Sequence, residues 1–178
     1  MNLQPDMISD GWLEVLDGNP TARDLFTRHY SNPRRDGGRG KQPALIIGPG
    51  YKMLLITADA GAVCAWRKAD IRLDEQTGVE CCIFRREQGD IATSLLEAAM
   101  RLAWMRWPGE RFFTFVDPKE VKPTWRAGRP TWGHCFYQAG WQFVGLTKKR
   151  LHILECHPSW ADKSTPGRPI YNASMEAK

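Results

Sequence analysis

One long amphipathic helix between two apolar strands is the feature that most limits how this chain can fold. Apolar side chains recur at helical spacing over residues 93–107, and Ser94 with Glu97 predicts a capping box at the start of that helix. The segments 79–86 and 111–116 are rich in β-branched and aromatic residues, which favours strands. Strands joined through a helix lie parallel, so this unit predicts one parallel crossover in a sheet.

The other predicted elements follow one another closely, which favours antiparallel pairing. They are a helix over 21–30 with Thr21 as its cap, strands over 44–47, 51–57 and 62–68, a short helix over 134–139, and a hairpin of 141–144 with 151–155. Trp12 and its apolar neighbours are expected to dock on the domain. We therefore predict an α/β protein with a mixed, mostly antiparallel sheet flanked by helices. A single domain spans residues 1–156, and a polar, Pro-rich tail spans 157–178.

The composition is that of an ordinary globular protein, with 42% hydrophobic and 25% charged residues. No apolar run approaches the roughly 18 residues of a membrane helix, and the N-terminal sequence lacks a signal-peptide pattern. We therefore expect no membrane association, a cytoplasmic location and reduced thiols at the five cysteines. Cys81 and Cys82 are adjacent in a predicted strand and point to opposite faces, and no Cys-x-x-Cys pair occurs, so no metal site is predicted.

The net charge of +5 is concentrated in two stretches of the chain. Residues 28–41 hold five cations and one acid, and residues 118–150 hold seven cations and one acid. Both stretches are rich in Gly and Pro, which predicts loops. Cations neutralise phosphates and flat aromatic faces stack on bases, so the stretches predict contact with DNA; the alternative is two solvated loops whose tryptophans fold into the core. The candidate contact residues are Arg34, Arg35, Arg39, Lys41, Lys122, Trp125, Arg126 and Trp132.

The order of elements resembles the GNAT acyltransferase fold. In that family the segment corresponding to residues 79–107 binds acyl-CoA: strand-edge amides hold the pantetheine arm, and the next turn and helix N-terminus hold the pyrophosphate. Free amides and the positive end of a helix dipole attract phosphate. The turn of residues 86–91 has the family's arginine and first glycine, with Ile91 at the final small position and Asp90 before it. The resemblance implies acetyl-CoA contacts from Cys82, Ile83, Phe84, Arg85, Arg86, Gln88, Gly89, Thr93 and Ser94.

Shorter motifs resemble a narrower group, the small GNAT-like proteins of bacteriophages and the phage Mom-type proteins that modify adenine in viral DNA. These motifs are residues 29–31 (HYS) before a basic loop, 114–118 (TFVDP) and 136–141 (FYQAGW). The resemblance implies modification of a base in phage DNA, which protects the genome from host restriction. The GNAT chemistry that fits best is transfer of an acetyl group from acetyl-CoA to an amine on a hypermodified base, such as 5-aminomethyl-uracil. The alternatives are a Mom-type adenine modification and a non-catalytic GNAT-like protein that binds nucleic acid.

Acyl transfer requires a group that deprotonates the amine and a group that protonates the thiolate, and four residues are candidates. His29 is the expected base because imidazole titrates near neutral pH; the alternative is a histidine that contacts carbonyls at a helix end. Tyr30 either stacks on a base or donates a proton; the alternative is a residue that packs beneath the loop. Asp117 either accepts a proton and orients the amine or forms a turn. The family's usual acid is a tyrosine at the position of Phe136, and Tyr137, one residue later, is the candidate here.

Overall fold

The structure, a computed structural model, describes residues 11–34 and 42–157. Its strands are β1 (Trp12–Val15), β2 (Tyr51–Thr57), β3 (Ala62–Lys68), β4 (Val79–Arg86), β5 (Phe112–Val116), β6 (Thr124–Arg126), β7 (Arg129–Thr131), β8 (Gln142–Leu146) and β9 (His152–Cys156). Its helices are α1 (Pro20–Thr27), α2 (Ala92–Arg106) and α3 (His134–Gln138). The main sheet has the order β1-β2-β3-β4-β5-β9-β8, and β6 pairs with β7 separately. Among the described strands of this sheet, β4 and β5 form the one parallel pair, so the predicted GNAT-like, mostly antiparallel α/β fold is confirmed.

The main sheet separates two apolar cores. On one face, Leu25 and Phe26 of α1 pack against β2, β3 and β4. On the other face, α2 and α3 cover the sheet, and Trp66 lies fully buried at the centre of that core. The central strands are apolar on both sides because each side is covered. The layer order is therefore helix α1, then the sheet, then helices α2 and α3.

Helix α1 is shorter than predicted and has a different cap. Asn19, rather than Thr21, is the N-cap, and its side-chain oxygen accepts a hydrogen bond from the Ala22 amide at 3.1 Å. Pro20 occupies the first helical position, where its missing N–H has no cost. The helix ends at Thr27, so the next residues form a turn instead of a last helical turn.

The predicted strand over residues 44–47 is wrong, and a strand forms earlier in the chain instead. The carboxylate of Asp17 accepts the amides of Ile46 and Ile47 at 2.8 and 3.3 Å. Those amides are therefore unavailable to a neighbouring strand. The place beside β2 is taken by β1, in which Trp12 is opposite Thr57.

Helix α2 begins one residue earlier than predicted, and its first turn has no side-chain cap. The N-cap is Ile91, whose side chain offers no acceptor, so the capping box predicted from Ser94 and Glu97 is wrong. Within residues 11–34 and 42–157, no helix combines the length and apolar character needed to cross a membrane. The predicted tail lies outside the described residues from position 158 onward.

Candidate functional site

Strands β4 and β5 pair over only two positions and then diverge. Their register joins Val79 with Phe112 and Glu80 with Phe113. At the next position the Thr114 hydroxyl donates to the Cys81 carbonyl at 2.8 Å, where a main-chain hydrogen bond would otherwise continue the ladder. Beyond this point the facing edges of the two strands bound a gap in the middle of the sheet.

The hydroxyl of Tyr30 lies in that gap. It donates to the Phe115 carbonyl at 3.1 Å. The Arg111 carbonyl accepts the Val79 amide, and carbonyls of alternate residues point to the same side of a strand, so the Phe115 carbonyl also faces β4. The Tyr30 hydroxyl therefore takes the place of a main-chain N–H of β4 as the donor to Phe115, so β4 and β5 stay apart at this position.

A β-bulge at Cys82 changes which groups of β4 face the gap. The register pairs Trp66 with Cys81 but Ala65 with Ile83, so Cys82 is the extra residue. The extra residue reverses the alternation, and Cys82 and Ile83 both contact the core on the α1 side. Beyond Glu80, the β5-facing edge of β4 pairs with none of the described strands. This is a strand edge of the kind predicted to hold an extended ligand, although Ile83 itself is buried in the core.

A cavity of about 690 Å³ occupies the divergence. This volume lies within the range of sites that enclose drug-sized ligands. Residues of β4, β5, α3 and the segment after α1 line it together. The members on which the argument depends are His29, Tyr30, Glu80, Cys82, Phe84, Thr114, Asp117, Lys122, His134 and Cys135. The cavity therefore brings together three of the four predicted catalytic residues, and Tyr137 is the one that does not line it.

The hydrogen bonds of His29 determine which ring nitrogen carries the proton. His29 is buried, and its Nδ1 accepts the Ser31 amide at 3.2 Å and lies 2.7 Å from the Ser31 hydroxyl. A backbone N–H can only donate, so Nδ1 is the unprotonated nitrogen of a neutral ring and Nε2 carries the hydrogen. The Nδ1 atom of His29 is thus engaged by Ser31 within its own turn, and the role of His29 as a base remains a prediction. Its ring stacks on Tyr30 with a centroid separation of 4.5 Å.

The surroundings of Tyr30 keep its phenol protonated. Burial is the main cause that raises the pKa of Tyr30 well above the usual value, with a smaller contribution from the nearby Cys81 thiol. A phenol with so high a pKa is a weak acid for a thiolate but a constant hydrogen-bond donor. Tyr30 is consequently suited to positioning and to polar contact, not to proton release.

Asp117 supplies the carboxylate at the end of β5. Its Oδ1 accepts the Lys119 amide at 2.9 Å, and its main-chain carbonyl accepts the amides of Glu120 and Val121. The carboxylate is partly exposed at the cavity. The turn role and the cavity position of Asp117 are therefore compatible.

Tyr137 lies on α3 outside the cavity wall. The Arg126 guanidinium lies 5.7 Å from its ring centroid, and burial raises the pKa of Tyr137 while Arg126 opposes that shift. Its neighbour Phe136 lines the cavity instead and packs edge-on against Phe84 at 6.0 Å. Helix α3 therefore directs Phe136, which has no hydroxyl, towards the cavity in place of Tyr137.

The turn between β4 and α2 is tightly bonded to the neighbouring turn. The amides of Glu87 and Gln88 both donate to the Gly61 carbonyl, at 2.8 and 3.3 Å. A Cβ on Gly89 would lie 3.0 Å from the Asp59 carboxylate, so negative charge lies beside this turn. The first turn of α2 keeps amides without a side-chain cap, at the predicted phosphate contacts Thr93 and Ser94. Phosphate attraction is therefore strongest at the helix end.

Arg85 and Arg86 have different environments. Arg85 donates to Glu87 at 2.7 Å and to the Arg28 carbonyl at 2.7 Å, so it ties β4 to the end of α1. Arg28 also bonds Glu87, and its hydrogen bonds are the main cause that lowers the pKa of Glu87 to about 2. Arg86 is exposed at the end of β4.

The predicted nucleic-acid contacts fall into three groups. Lys122, Trp125 and Arg126 are exposed, and Lys122 also lines the cavity. Trp132 is half-buried, with its ring 4.9 Å from that of His152, so it belongs to the packing of the domain. Arg34 is half-buried beside Asn32. Three further predicted contacts lie outside the described residues: Arg35, Arg39 and Lys41.

Glu80 is a cavity residue that the sequence analysis did not single out. It is buried, and one carboxylate oxygen contacts both Arg67 at 2.6 Å and Arg72 at 2.7 Å. Glu80 therefore joins two arginines in one ion-pair network at the inner cavity wall. An acidic residue within the apolar strand 79–86 was the available signal, because a buried acid requires a partner.

The five cysteines are free thiols, and three of them line the cavity. Cys81 and Cys82 contact opposite cores, as predicted, and both reach the cavity because it opens between the strands. Burial raises the pKa of Cys135 to about 12, so its thiol is unreactive at neutral pH. Within the described part of the chain, no group of three or more potential ligand side chains could hold a metal ion. Comparisons with protein families, curated proteins and solved structures found no match to this chain.

Proposed function

We propose that this protein is a GNAT-like N-acyltransferase that transfers an acetyl group from acetyl-CoA to an amine on a base of phage DNA. The observation that carries the proposal is the cavity between the diverging strands β4 and β5, which combines unpaired strand edges with the Asp117 carboxylate. A thioester and an amine can meet there away from bulk water. The bacteriophage origin and the base-linked amine follow from the resemblance of residues 29–31, 114–118 and 136–141.

The donor half of the site is β4 with the start of α2. An extended pantetheine arm carries amide groups, which pair with the β5-facing edge of β4 beyond Glu80 in the manner of an added strand. The amides of the first α2 turn and the guanidinium of Arg86 attract the pyrophosphate. This assignment moves the anion site from the turn itself, where Asp59 and Asp90 repel it, towards Thr93 and Ser94.

The acceptor half is β5 with the segment after α1. Asp117 takes a proton from the amine as its nitrogen attacks the thioester carbon. The new C–N bond forms, the C–S bond breaks, and the CoA thiolate leaves with the electron pair. His29 through Nε2–H and the protonated Tyr30 contribute neutral polar contacts that align the acceptor.

Acetylation of DNA that contains an aminomethylated base tests this function. The product is detected by mass spectrometry of the nucleosides after digestion, and unmodified DNA is the control substrate. A mass increase of one acetyl group that depends on acetyl-CoA and on the enzyme supports the proposal. Absence of that product with saturating substrates contradicts it.

One observation favours a second candidate, a GNAT-like protein that binds DNA without acyl transfer or modifies adenine in the Mom manner. The Glu87 and Gln88 amides are engaged by Gly61, and the Asp59 carboxylate lies close to Gly89. An acyl donor that lacks a pyrophosphate avoids repulsion by the Asp59 carboxylate, and so does a protein that binds no acyl donor. Duplex DNA binding together with no heat change on addition of acetyl-CoA distinguishes this candidate from the first.

A further inference from the structure

Strands β6 and β7 form a narrow two-stranded ribbon, which is defined here as residues 124–131. Its register joins Thr124 with Thr131, Trp125 with Pro130 and Arg126 with Arg129. The turn is Ala127-Gly128, with φ of 47° and 74°, which is the two-residue turn that matches the twist of a hairpin. At the base, the Thr131 hydroxyl donates to the Thr124 carbonyl at 3.1 Å. The ribbon is therefore closed at both ends.

The surface of the ribbon combines positive charge with one exposed aromatic ring. Trp125 is 75% exposed, whereas most tryptophans of this chain are packed into the domain. Arg126 and Arg129 face each other across the turn, and no acidic residue occurs from position 121 to 134. The ribbon thus presents an exposed indole on the face of the Trp125–Pro130 pair and two guanidinium groups at the next pair, a combination that matches the rings and phosphates of a nucleic acid.

Both ends of the ribbon leave from the rim of the cavity. Lys122 precedes it and Gly133 follows it, and both line the cavity. The Arg126 guanidinium lies over the Tyr137 ring of α3, which fixes the direction of the ribbon relative to the site. The ribbon that carries Trp125 therefore begins and ends next to residues of the cavity wall.

The inner wall of the cavity is out of reach for a base inside a duplex. Thr114 and Glu80 are 4% and 7% exposed, and Tyr30 is held between the strand edges by its hydrogen bond to Phe115. In duplex DNA, a stacked base exposes only its edges in the grooves. A group on that base therefore reaches the inner wall of the cavity only after the nucleotide leaves the stack.

We propose that the ribbon is a wedge that opens duplex DNA. Trp125 fills the gap left by one extruded nucleotide, Arg126 and Arg129 contact the flanking phosphates, and the extruded base enters the cavity between β4 and β5. The inference rests on the proposed function in that DNA is the substrate. It specifies the partner as duplex DNA with one unstacked nucleotide, rather than a free nucleotide.

The test compares binding of the full chain to two 25-base-pair duplexes, one fully paired and one with a single central mismatch, by fluorescence anisotropy. Extrusion of a mismatched base costs less free energy, so the wild type binds the mismatched duplex at least about tenfold more tightly. W125A reduces that preference to less than about threefold. Y51A, which removes an aromatic ring 63% exposed outside the ribbon, keeps the preference.

Arginine variants separate charge from wedging. R126A and R129A weaken binding to both duplexes and lower the slope of log affinity against log salt by about one each, because each removes one phosphate contact. Neither variant reduces the ratio between the two duplexes as far as W125A does.

Two results overturn the wedge in different ways. If the wild type binds both duplexes with equal affinity and W125A has the same affinities, Trp125 is not a wedge, whereas the proposed DNA binding is retained. If W125A acetylates the modified base at equal rates in single-stranded and duplex DNA, the wedge is also excluded. The proposed acyltransferase function is then retained. Absence of any DNA binding or acetylation overturns the proposed function together with the wedge.

Discussion

Replacement of Tyr30 by phenylalanine deletes one oxygen from the gap between β4 and β5. The ring remains and keeps its stacking on His29, but the Phe115 carbonyl loses the donor that lies 3.1 Å away. A hydrogen bond in such a half-buried position contributes about 0.5–1.5 kcal/mol to the free energy of unfolding. For a domain of this size, a loss of about 1 kcal/mol lowers Tm by about 2–4 °C.

The same substitution changes the dependence of stability on alkaline pH. Burial raises the pKa of Tyr30 above that of a tyrosine in the unfolded chain, so the folded protein retains a proton that the unfolded chain releases above about pH 10. The stabilisation is complete below pH 10 and is lost as the pH rises further, with a slope of at most about 1.4 kcal/mol per pH unit. Tyr30→Phe removes this contribution, so the stability of the variant falls less steeply from pH 10 to 11.

Urea unfolding followed by tryptophan fluorescence measures both effects. Tyr51→Phe is the matched control, because the same oxygen is removed from an exposed residue at the start of β2. We expect the control to unfold within about 0.5 kcal/mol of the wild type at pH 7. Agreement of Tyr30→Phe with Tyr51→Phe in both the urea midpoint at pH 7 and the alkaline slope would exclude the stabilising role of the Tyr30 hydroxyl.

Three further predictions concern the site, the end of α1 and the turn beside it. Asp117→Asn lowers kcat by about 10²–10⁴-fold without unfolding the protein, because the amide cannot accept the amine proton; steady-state kinetics and circular dichroism measure the two effects. Glu87→Gln destabilises the protein by less than about 1 kcal/mol at pH 7, since the carboxylate is largely exposed and screened, and this deficit disappears as the pH falls from about 4.5 to 2. Gly61→Ala costs about 1–3 kcal/mol, because the new Cβ would lie 2.7 Å from Cγ and 2.9 Å from the carbonyl oxygen of Gln88.

Each of these predictions has a control in the same chain. Asp70→Asn, in an exposed loop, is expected to leave kcat unchanged. If Asp117→Asn has the same kcat as this control, the Asp117 carboxylate takes no part in the reaction. A stability difference of Glu87→Gln that stays constant between pH 7 and pH 2.5 excludes the ion pair with Arg28. Gly145→Ala introduces a Cβ with nothing within 4 Å, so Gly61→Ala must be the less stable of the two glycine variants.

Strands β2, β3 and β4 have the bounds that the sequence predicts, because each is a short apolar run between clear turns. The four-residue strand β1 is not predicted by such a pattern. Only Trp12 in it is fully buried, and its strand conformation depends on pairing with the edge of β2. The ribbon escapes it too, since each of its strands has three mostly exposed residues. Tertiary pairing, not local propensity, decides both elements.

The site was predictable as a group of residues but not as a set of roles. His29, Tyr30 and Asp117 follow elements that end at the same cavity, which the motifs anticipated. The hydrogen bond of Tyr30 joins it to Phe115, far away in the sequence, and local sequence patterns do not reveal such a contact. The contact of His29 Nδ1 with Ser31 is local, but its direction depends on the ring tautomer. The bulge at Cys82 is equally hidden, because residues 81–84 are apolar on either alternation.

Calorimetric titration with acetyl-CoA tests most directly the claim that the cavity between β4 and β5 is a donor site. The wild type is compared with Ala92→Trp, which places a large ring at the cavity wall where α2 begins. We expect saturable binding at one site in the wild type and loss of that heat in the variant, whose circular dichroism stays unchanged. No heat from the wild type at millimolar acetyl-CoA, or equal binding by the two proteins, contradicts the claim.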